Sequence, residues 1–409
     1  MKKIDSLIIN SSMLITPLGK TAKTGKDAGV LKQIKNGAVA INDGKILEVG
    51  TTEKLTKKYI TEQTIDAKNG LIMPGFVDCH THLVYGGSRE NEMAKTLAGT
   101  PYLKILKDGG GIHSTVKKTR EETSYELENS AMKRLDLMLA HGTTTAEIKT
   151  GYGLEPDTEK KLLKVIKALN AKSELDIVST FLGAHIVPKD IPREQYIDWL
   201  CTTALTEFKD LAEFVDIFTE DNAYTLAETK KILQASKTAG YKIKIHAGQF
   251  NDLKASGFAS DLGAVSIDHL EHISDSQLKT MSKNKTCAVL MPGVVYYLNT
   301  GKYADARKML KLGVPVALAT DFNPGSCPSF NMQFIISLAC KEMKMTIEEA
   351  ITSATLNSAY AIDRAKYIGS LEKGKQADII ILDIDNPWKI PYHFGGNLVT
   401  TVIKNGELI

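Results

Sequence analysis

The chain has no apolar run of about 18 residues, so its sequence offers no helix able to cross a membrane. Its opening, MKKIDSLIINSSMLITPLG, starts with lysines, as an export signal would. Asp5 and the Asn10-Ser11-Ser12 run break any apolar signal core, however, and no small-residue cleavage site follows. Cysteine is scarce: five residues (79, 201, 287, 327 and 340), odd in number, scattered, and several inside apolar segments. That excludes a disulfide framework and is the usage expected in a reducing cytoplasm. Excess charge is also missing. Lys and Arg total 51 against 48 Asp and Glu, a net charge of +3, and no basic stretch is interleaved with aromatics. No nucleic-acid partner is expected on that footing. What is present is ordinary globular composition, 43% hydrophobic and 24% charged, which excludes a disordered or collagen-like chain.

Two kinds of pattern divide the 409 residues. The first 70 are short alternating runs separated by turn residues (SLIINSSMLI, GAVAINDGKILEVG, QTIDAKNG), with Asn42-Asp43-Gly44 a hairpin signal. The last 40 read the same way: ADIIILDID, then LVTTVIKNGELI with Asn405-Gly406. Chain ends often lie close together, so both segments are expected in one sheet assembly. Between them, apolar runs alternate with helical periodicity. The runs are FVDCH (76–80), TTTAEI (143–148), IVSTFLGAH (177–185), FVDIF (214–218), KIKIHA (242–247), VSIDHLE (265–271), CAVLMPG (287–293) and VPVALATDF (314–322). Helical stretches such as SYELENSAMKRLDLMLAHG and TLAETKKILQASKTAG carry apolar residues at three- and four-residue spacing and end in Gly. Eight strands alternating with helices predict an α/β fold of the (β/α)8 barrel type, with an open doubly wound sheet as the alternative.

The decamer PGFVDCHTHL (74–83) sets two histidines one residue apart. On a strand, residues i and i+2 share a face, so His80 and His82 would project together. A pair of surface histidines has the same spacing. The other runs raise the stakes: the third ends at His185, the fifth at His246, the sixth carries His269 and the eighth ends at Asp321. A barrel brings all its strand carboxyl ends to one face, where active sites are built. Each histidine alone has a satisfied-core explanation; five at strand ends in one chain are harder to dismiss. Imidazoles with one carboxylate suit Zn²⁺ or Fe²⁺ and leave a position for water or substrate. A metal so held acidifies water and polarises carbonyls, which points to a hydrolase acting on a C–N bond, with Asp321 both ligand and proton acceptor.

HxH on the first strand, His on the fifth and sixth, Asp on the eighth, and β segments from both termini resemble the amidohydrolase superfamily, as does the returning segment GSLEKGKQADIIILD (369–383). The resemblance implies a β-sandwich from residues 1–70 and 368–409 around a hydrolase barrel at 71–367. No lysine ends the fourth run, which closes FTE (218–220), so one metal, zinc or iron, is expected rather than two bridged by a modified lysine. The set HTHLVYGGSRENE, EIKTGYGL, FLGAH, KIHAGQF, DHLEH, LMPG and ATDFNPGSCPS resembles more closely the branch of that superfamily that opens the ring of 4-imidazolone-5-propanoate in histidine degradation. It implies metal ligands His80, His82, His246 and Asp321, a catalytic role for His269 with Asp321 and His185, a small-molecule substrate and a homodimer. Arg89, just past the metal pair, would bind the propanoate bidentately, or else form a surface ion pair with a neighbouring glutamate. Tyr152, on a glycine-flanked and so flexible loop, and His185 would contact the ring. Asn323, Gly325 and Ser326 would offer amide, backbone and hydroxyl groups, or form only a Pro-Gly turn. Gln249 stands where many relatives have Glu; it can orient the ring but cannot carry a proton. A cyclic deaminase or another cyclic-amide hydrolase is the alternative activity.

Overall fold

The computed structural model describes residues 1–100 and 110–409. Among them, eight parallel strands follow one another in chain order around a barrel: β1 (Phe76–Thr81), β2 (Thr143–Lys149), β3 (Asp176–Ala184), β4 (Phe214–Thr219), β5 (Lys242–Ala247), β6 (Ser266–His269), β7 (Cys287–Leu290) and β8 (Val316–Leu318). Each matches one of the eight apolar runs. The last is shorter than its run, because the chain leaves the β8 ladder after Leu318 to close the barrel. Asp321 N donates to His80 O at 3.1 Å and His82 N to Phe322 O at 2.9 Å, bringing β8's exit alongside β1. The barrel, rather than the open sheet, is therefore the architecture.

Strand alternation fixes what faces inward. On β1, Val77 lies in register with Thr145, two before Glu147, and Val77 and Cys79 pack with Val178, Phe214, Val289 and Ala317 of other strands in the barrel's inner apolar cluster, closed by Leu356 and Ala359. Asp78 and His80 are fully buried polar residues, and the ladder to β2 shifts register between Asp78 and Thr81, so the alternation is interrupted just where the histidine pair begins. The covering helices have clear physical boundaries. Ser124–Ala140 starts at a capping box of Thr123 and Glu126 and buries Leu127, Ala131, Leu135 and Met138 on one stripe. Leu226–Thr238 repeats the device with Thr225 and Glu228. The glycines that close helical periods, Gly142, Gly240 and Gly313, have φ between 78° and 91°, the left-handed conformation that favours glycine.

Both chain ends contribute to two further sheets. The six-stranded one runs Glu407–Leu408, Val399–Lys404, Ile379–Leu382, Leu71–Pro74, Met13–Thr16 and Lys32–Lys35; the four-stranded one runs Lys45–Thr51, Gly37–Asn42, Ser6–Ile9 and Gln63–Asp66. Ile8, Val39 and Ile41 from the second sheet pack with Leu14, Ile72, Ile379 and Ile403 from the first, so the two form a sandwich. The hairpin turns sit where expected: φ is positive at Asp43 and Gly44 and again at Asn405 and Gly406. Lys404 Nζ, 2.9 Å from Asp378 and 2.8 Å from Asp176 at the start of β3, ties sandwich to barrel.

Candidate active site

The strand ends converge as the barrel requires. His80 lies inside β1 and His82 one residue past it; His246 lies inside β5; Asp321 sits in the closing segment after β8. Asp321 Oδ1 is 3.5 Å from His80 Nε2 and 3.4 Å from His82 Nε2, and His82 Nε2 is 3.4 Å from His246 Nε2. His80, His82 and His246 form one triad, and His80, His269 and Asp321 another, whose ligand atoms lie within 4.8 Å of one another. His80 Nε2 and Asp321 Oδ1 are buried without a hydrogen-bond partner. Such orphaned atoms are costly unless something satisfies them, and a cation between three imidazole nitrogens and a carboxylate does so. The residues therefore fit a metal.

These histidines are not surface-facing: His80 is fully buried and His82 and His246 are each 3% exposed. Burial, with nearby Lys149, holds the His80 ring well below its ordinary pKa, and burial with His185 does the same for His82, so both rings are neutral and can ligate. Burial pushes the Asp321 carboxyl up to about 7. His80 Nδ1 lies 2.6 Å from Asp268 Oδ2, and His246 Nδ1 lies 3.1 Å from Asp216 Oδ1. Asp268 bonds the Nδ1 side of the His80 ring and Asp216 stands at ion-pair distance, without hydrogen-bond geometry, on the Nδ1 side of His246, so that both rings present Nε2 to the cluster, as in the second layer of a histidine metal site.

Of the other predicted residues, His185 and Tyr152 pack directly against the cluster, and some of the rest change role. His185 stacks on His82 with centroids 5.1 Å apart, and its Nδ1 faces Gly151 O at 3.1 Å. Burial lowers its pKa to about 3. Tyr152 is 3% exposed and packs against His82, His185 and Tyr85. Its loop is not the flexible one expected from the flanking glycines. The buried Glu159 carboxylate accepts from Gly151 N, Gly153 N (2.8 Å) and Leu154 N (2.9 Å), pinning it. His269 has φ +83° and Asp321 +52°, left-handed conformations that non-glycine residues hold only where the surroundings impose them. His269 makes no hydrogen bond to Asp321; its Nδ1 is buried and unpartnered. Arg89 donates Nε and Nη2 to Glu92 Oε2 at 3.0 and 2.8 Å, while Nη1 lies against Gly325, where a Cβ would overlap it. The Asn323 amide is engaged within its own loop: Nδ2 donates to Asp321 O and Ser326 Oγ, and Oδ1 accepts from Gly325 N and Ser326 N at 2.7 Å. It shapes the loop instead of offering a free amide. Gln249 is half-buried beside Glu271, Val294 and Val295.

Comparison with known proteins agrees with this arrangement. The amidohydrolase family model matches residues 71–409. The chain belongs to the amidohydrolase family. It is 47% identical over 406 residues to the imidazolonepropionase of Caldanaerobacter subterraneus subsp. tengcongensis, covering 98% of this chain and 97% of that one. It is 46% identical to the imidazolonepropionase of Thermoanaerobacter pseudethanolicus, with the same coverage. That similarity places this amidohydrolase among the hydrolases of histidine degradation. Among solved structures, a zinc-bound adenosine deaminase from Xanthomonas campestris aligns with a TM-score of 0.73 at 17% identity, over 100% of this chain and 93% of that one; this likeness is of fold alone.

The sequence reading of this amidohydrolase missed the layer beneath the cluster. Glu147, Lys149, Asp216, Lys244 and Asp268 are all fully buried. A signal for them existed: each interrupts an otherwise apolar strand at the parity of an inward position, Glu147-x-Lys149 on β2 and Lys244-x-His246 on β5. The fourth strand indeed supplies no lysine. The one at the second strand's end, Lys149, is held by carboxylates.

Proposed function

We propose that this amidohydrolase opens the cyclic amide of 4-imidazolone-5-propanoate to give N-formimidoyl-L-glutamate. The observation that carries the reading is that the buried three-histidine, one-carboxylate cluster shares its mouth with Tyr152 and Arg89, in a chain 47% identical to a protein of that activity's name over 98% of its length. Water adds to the ring carbonyl carbon and the carbonyl–nitrogen bond breaks. The carbonyl becomes the α-carboxylate and the freed nitrogen ends the formimidoyl group. His80, His82, His246 and Asp321 would hold one metal ion, zinc or iron. When bound, it supplies the Lewis acidity that polarises the carbonyl and acidifies water. Asp321 and His269 are the groups placed to take a proton from the water and return one to the departing nitrogen, with His185 and Gln249 holding the ring. A purine or cytosine deaminase would want a proton-carrying glutamate where Gln249 stands.

The Tyr152 hydroxyl stays protonated, because burial pushes its pKa up, so it donates to the substrate. Arg89 would read the propanoate. A charge-assisted pair is worth roughly 1.5–3 kcal/mol, so Arg89→Met should lower kcat/KM by about tenfold to a hundredfold. An equal loss on an imidazolone without the carboxylate would make Arg89 structural instead. Gly325→Ala, which displaces the same guanidinium, should raise KM and leave kcat near normal; a fall in kcat alone would put Arg89 elsewhere in the reaction.

The direct test is incubation of purified protein with imidazolone propionate, following loss of its ultraviolet absorbance, beside metal analysis of the same sample. Turnover with one metal per chain is expected. A metal-loaded protein that leaves the substrate untouched would overturn the reading. We further propose a cytoplasmic homodimer, with residues 1–70 and 368–409 forming one domain around a barrel domain at 71–367. The family likeness and the thiol usage support it; light scattering reads the oligomeric state.

A further inference from the structure

Beneath the proposed metal cluster, one ammonium joins the two acids that hold two of its ligands. Lys149 Nζ lies 2.7 Å from Asp216 Oδ2, 3.0 Å from Glu147 Oε1 and 3.6 Å from Asp268 Oδ2. Asp216 reaches His246 Nδ1 at 3.1 Å, and Asp268 reaches His80 Nδ1 at 2.6 Å. A second ammonium, Lys244 Nζ, bonds Glu147 Oε2 at 2.6 Å and Cys79 O at 3.0 Å, and stands 3.9 Å from Asp268. All five side chains are fully buried.

From this geometry we infer that Lys149 is a positioning residue that fixes His80 and His246 as metal ligands through Asp268 and Asp216. The inference rests on the metal-site reading above. Its physical ground is that a buried carboxylate keeps its charge and orientation only with a counter-ion and hydrogen bonds. The ammonium of Lys149 hydrogen-bonds acids from β2 and β4 and stands at ion-pair distance, 3.6 Å, from the acid of β6. Histidines from β1 and β5 are thereby referred to one charge on β2. Three carboxylates against two ammonium groups leave this layer net negative under a cation. Without Lys149, Asp216 loses its ammonium partner and Asp268 keeps only Lys244 at 3.9 Å, so both acids are held less firmly against the two rings.

Loss of such support typically costs about ten- to a hundredfold in metal affinity. Lys149→Met alone strips a cation from three acids and risks misfolding. The pair Lys149→Met/Glu147→Gln removes one charge of each sign, and Glu147→Gln alone is the control, since Glu147 touches no proposed ligand. The measurement is the zinc dissociation constant by chelator competition, together with the visible spectrum of the cobalt-loaded protein and the melting temperature of the metal-free protein. The double variant should bind zinc about ten- to a hundredfold more weakly than both wild type and Glu147→Gln, with an altered cobalt spectrum. A lowered melting temperature with wild-type affinity and spectrum would make Lys149 merely structural and overturn the inference. Tighter binding would overturn it too, showing that the ammonium acts only by repelling the metal. A wild type that binds no metal would instead remove the reading on which the inference rests.

Discussion

His80→Ala should yield protein that has lost metal and activity together. His80 is the residue common to both candidate ligand triads, so its removal takes a nitrogen from each. The stability cost will not be negligible, because His80 is fully buried and its ring partners Asp268 at 2.6 Å. A buried acceptor stripped of its partner costs about 1–3 kcal/mol. Asp268 keeps Lys149 at 3.6 Å and Lys244 at 3.9 Å, which favours the low end. A barrel of this size tolerates that, so the variant should fold with a somewhat lowered melting temperature. Full metal occupancy in His80→Ala, read by elemental analysis, would sink the ligand assignment.

His269→Asn should do the opposite: retain metal and lose most of kcat. A positioned acid–base group contributes about 10²–10⁴-fold. Burial holds the His269 ring well below its ordinary pKa, so it enters the reaction as a neutral base rather than as a standing acid. Asparagine is the informative replacement. It is among the few residues that accept positive φ, and position 269 has φ +83°. Any loss then reports the ring and not a broken backbone. Near-normal kcat with lowered thermal stability would make His269 structural and leave the proton path to Asp321 or His185. Gln249→Glu provides the complement. It should remain folded and metal-loaded but change the pH–rate profile, because a new titrating group enters at the mouth; an unchanged profile would place position 249 outside the proton path.

Local pattern carried far in this chain. The eight barrel strands were legible because a strand buried on both sides needs a short apolar run, and the helices between them need a three- to four-residue stripe; neither depends on what lies across the fold. The same holds for the turns at Asp43-Gly44 and Asn405-Gly406, which need positive φ, and for the polar residues that end the strands. Parallel strands in sequential order close one way, so placing His80, His82, His246 and Asp321 at one end followed from the fold class.

What sequence left undecided is which partner each side chain takes, whether that partner is near in the chain or far from it. Arg89 is an arginine beside a glutamate in sequence; only packing shows it held by Glu92 and pressed on Gly325, more than 200 positions away. Tyr152 between two glycines reads as mobile until Glu159 is seen gathering the loop's amides. Asn323 reads as a free amide until its loop closes on it. Lys149, Asp216 and Asp268 look like three separate charges on three strands. Their meaning comes from the barrel interior, where water is excluded and each charge must find its counter-ion across the fold. Sequence by itself thus determined which groups stand at the barrel's open end, because periodicity and chain order fix strand faces. The tertiary structure alone decided which groups hold one another there, because pairing in a dry interior is set by distances no linear spacing encodes.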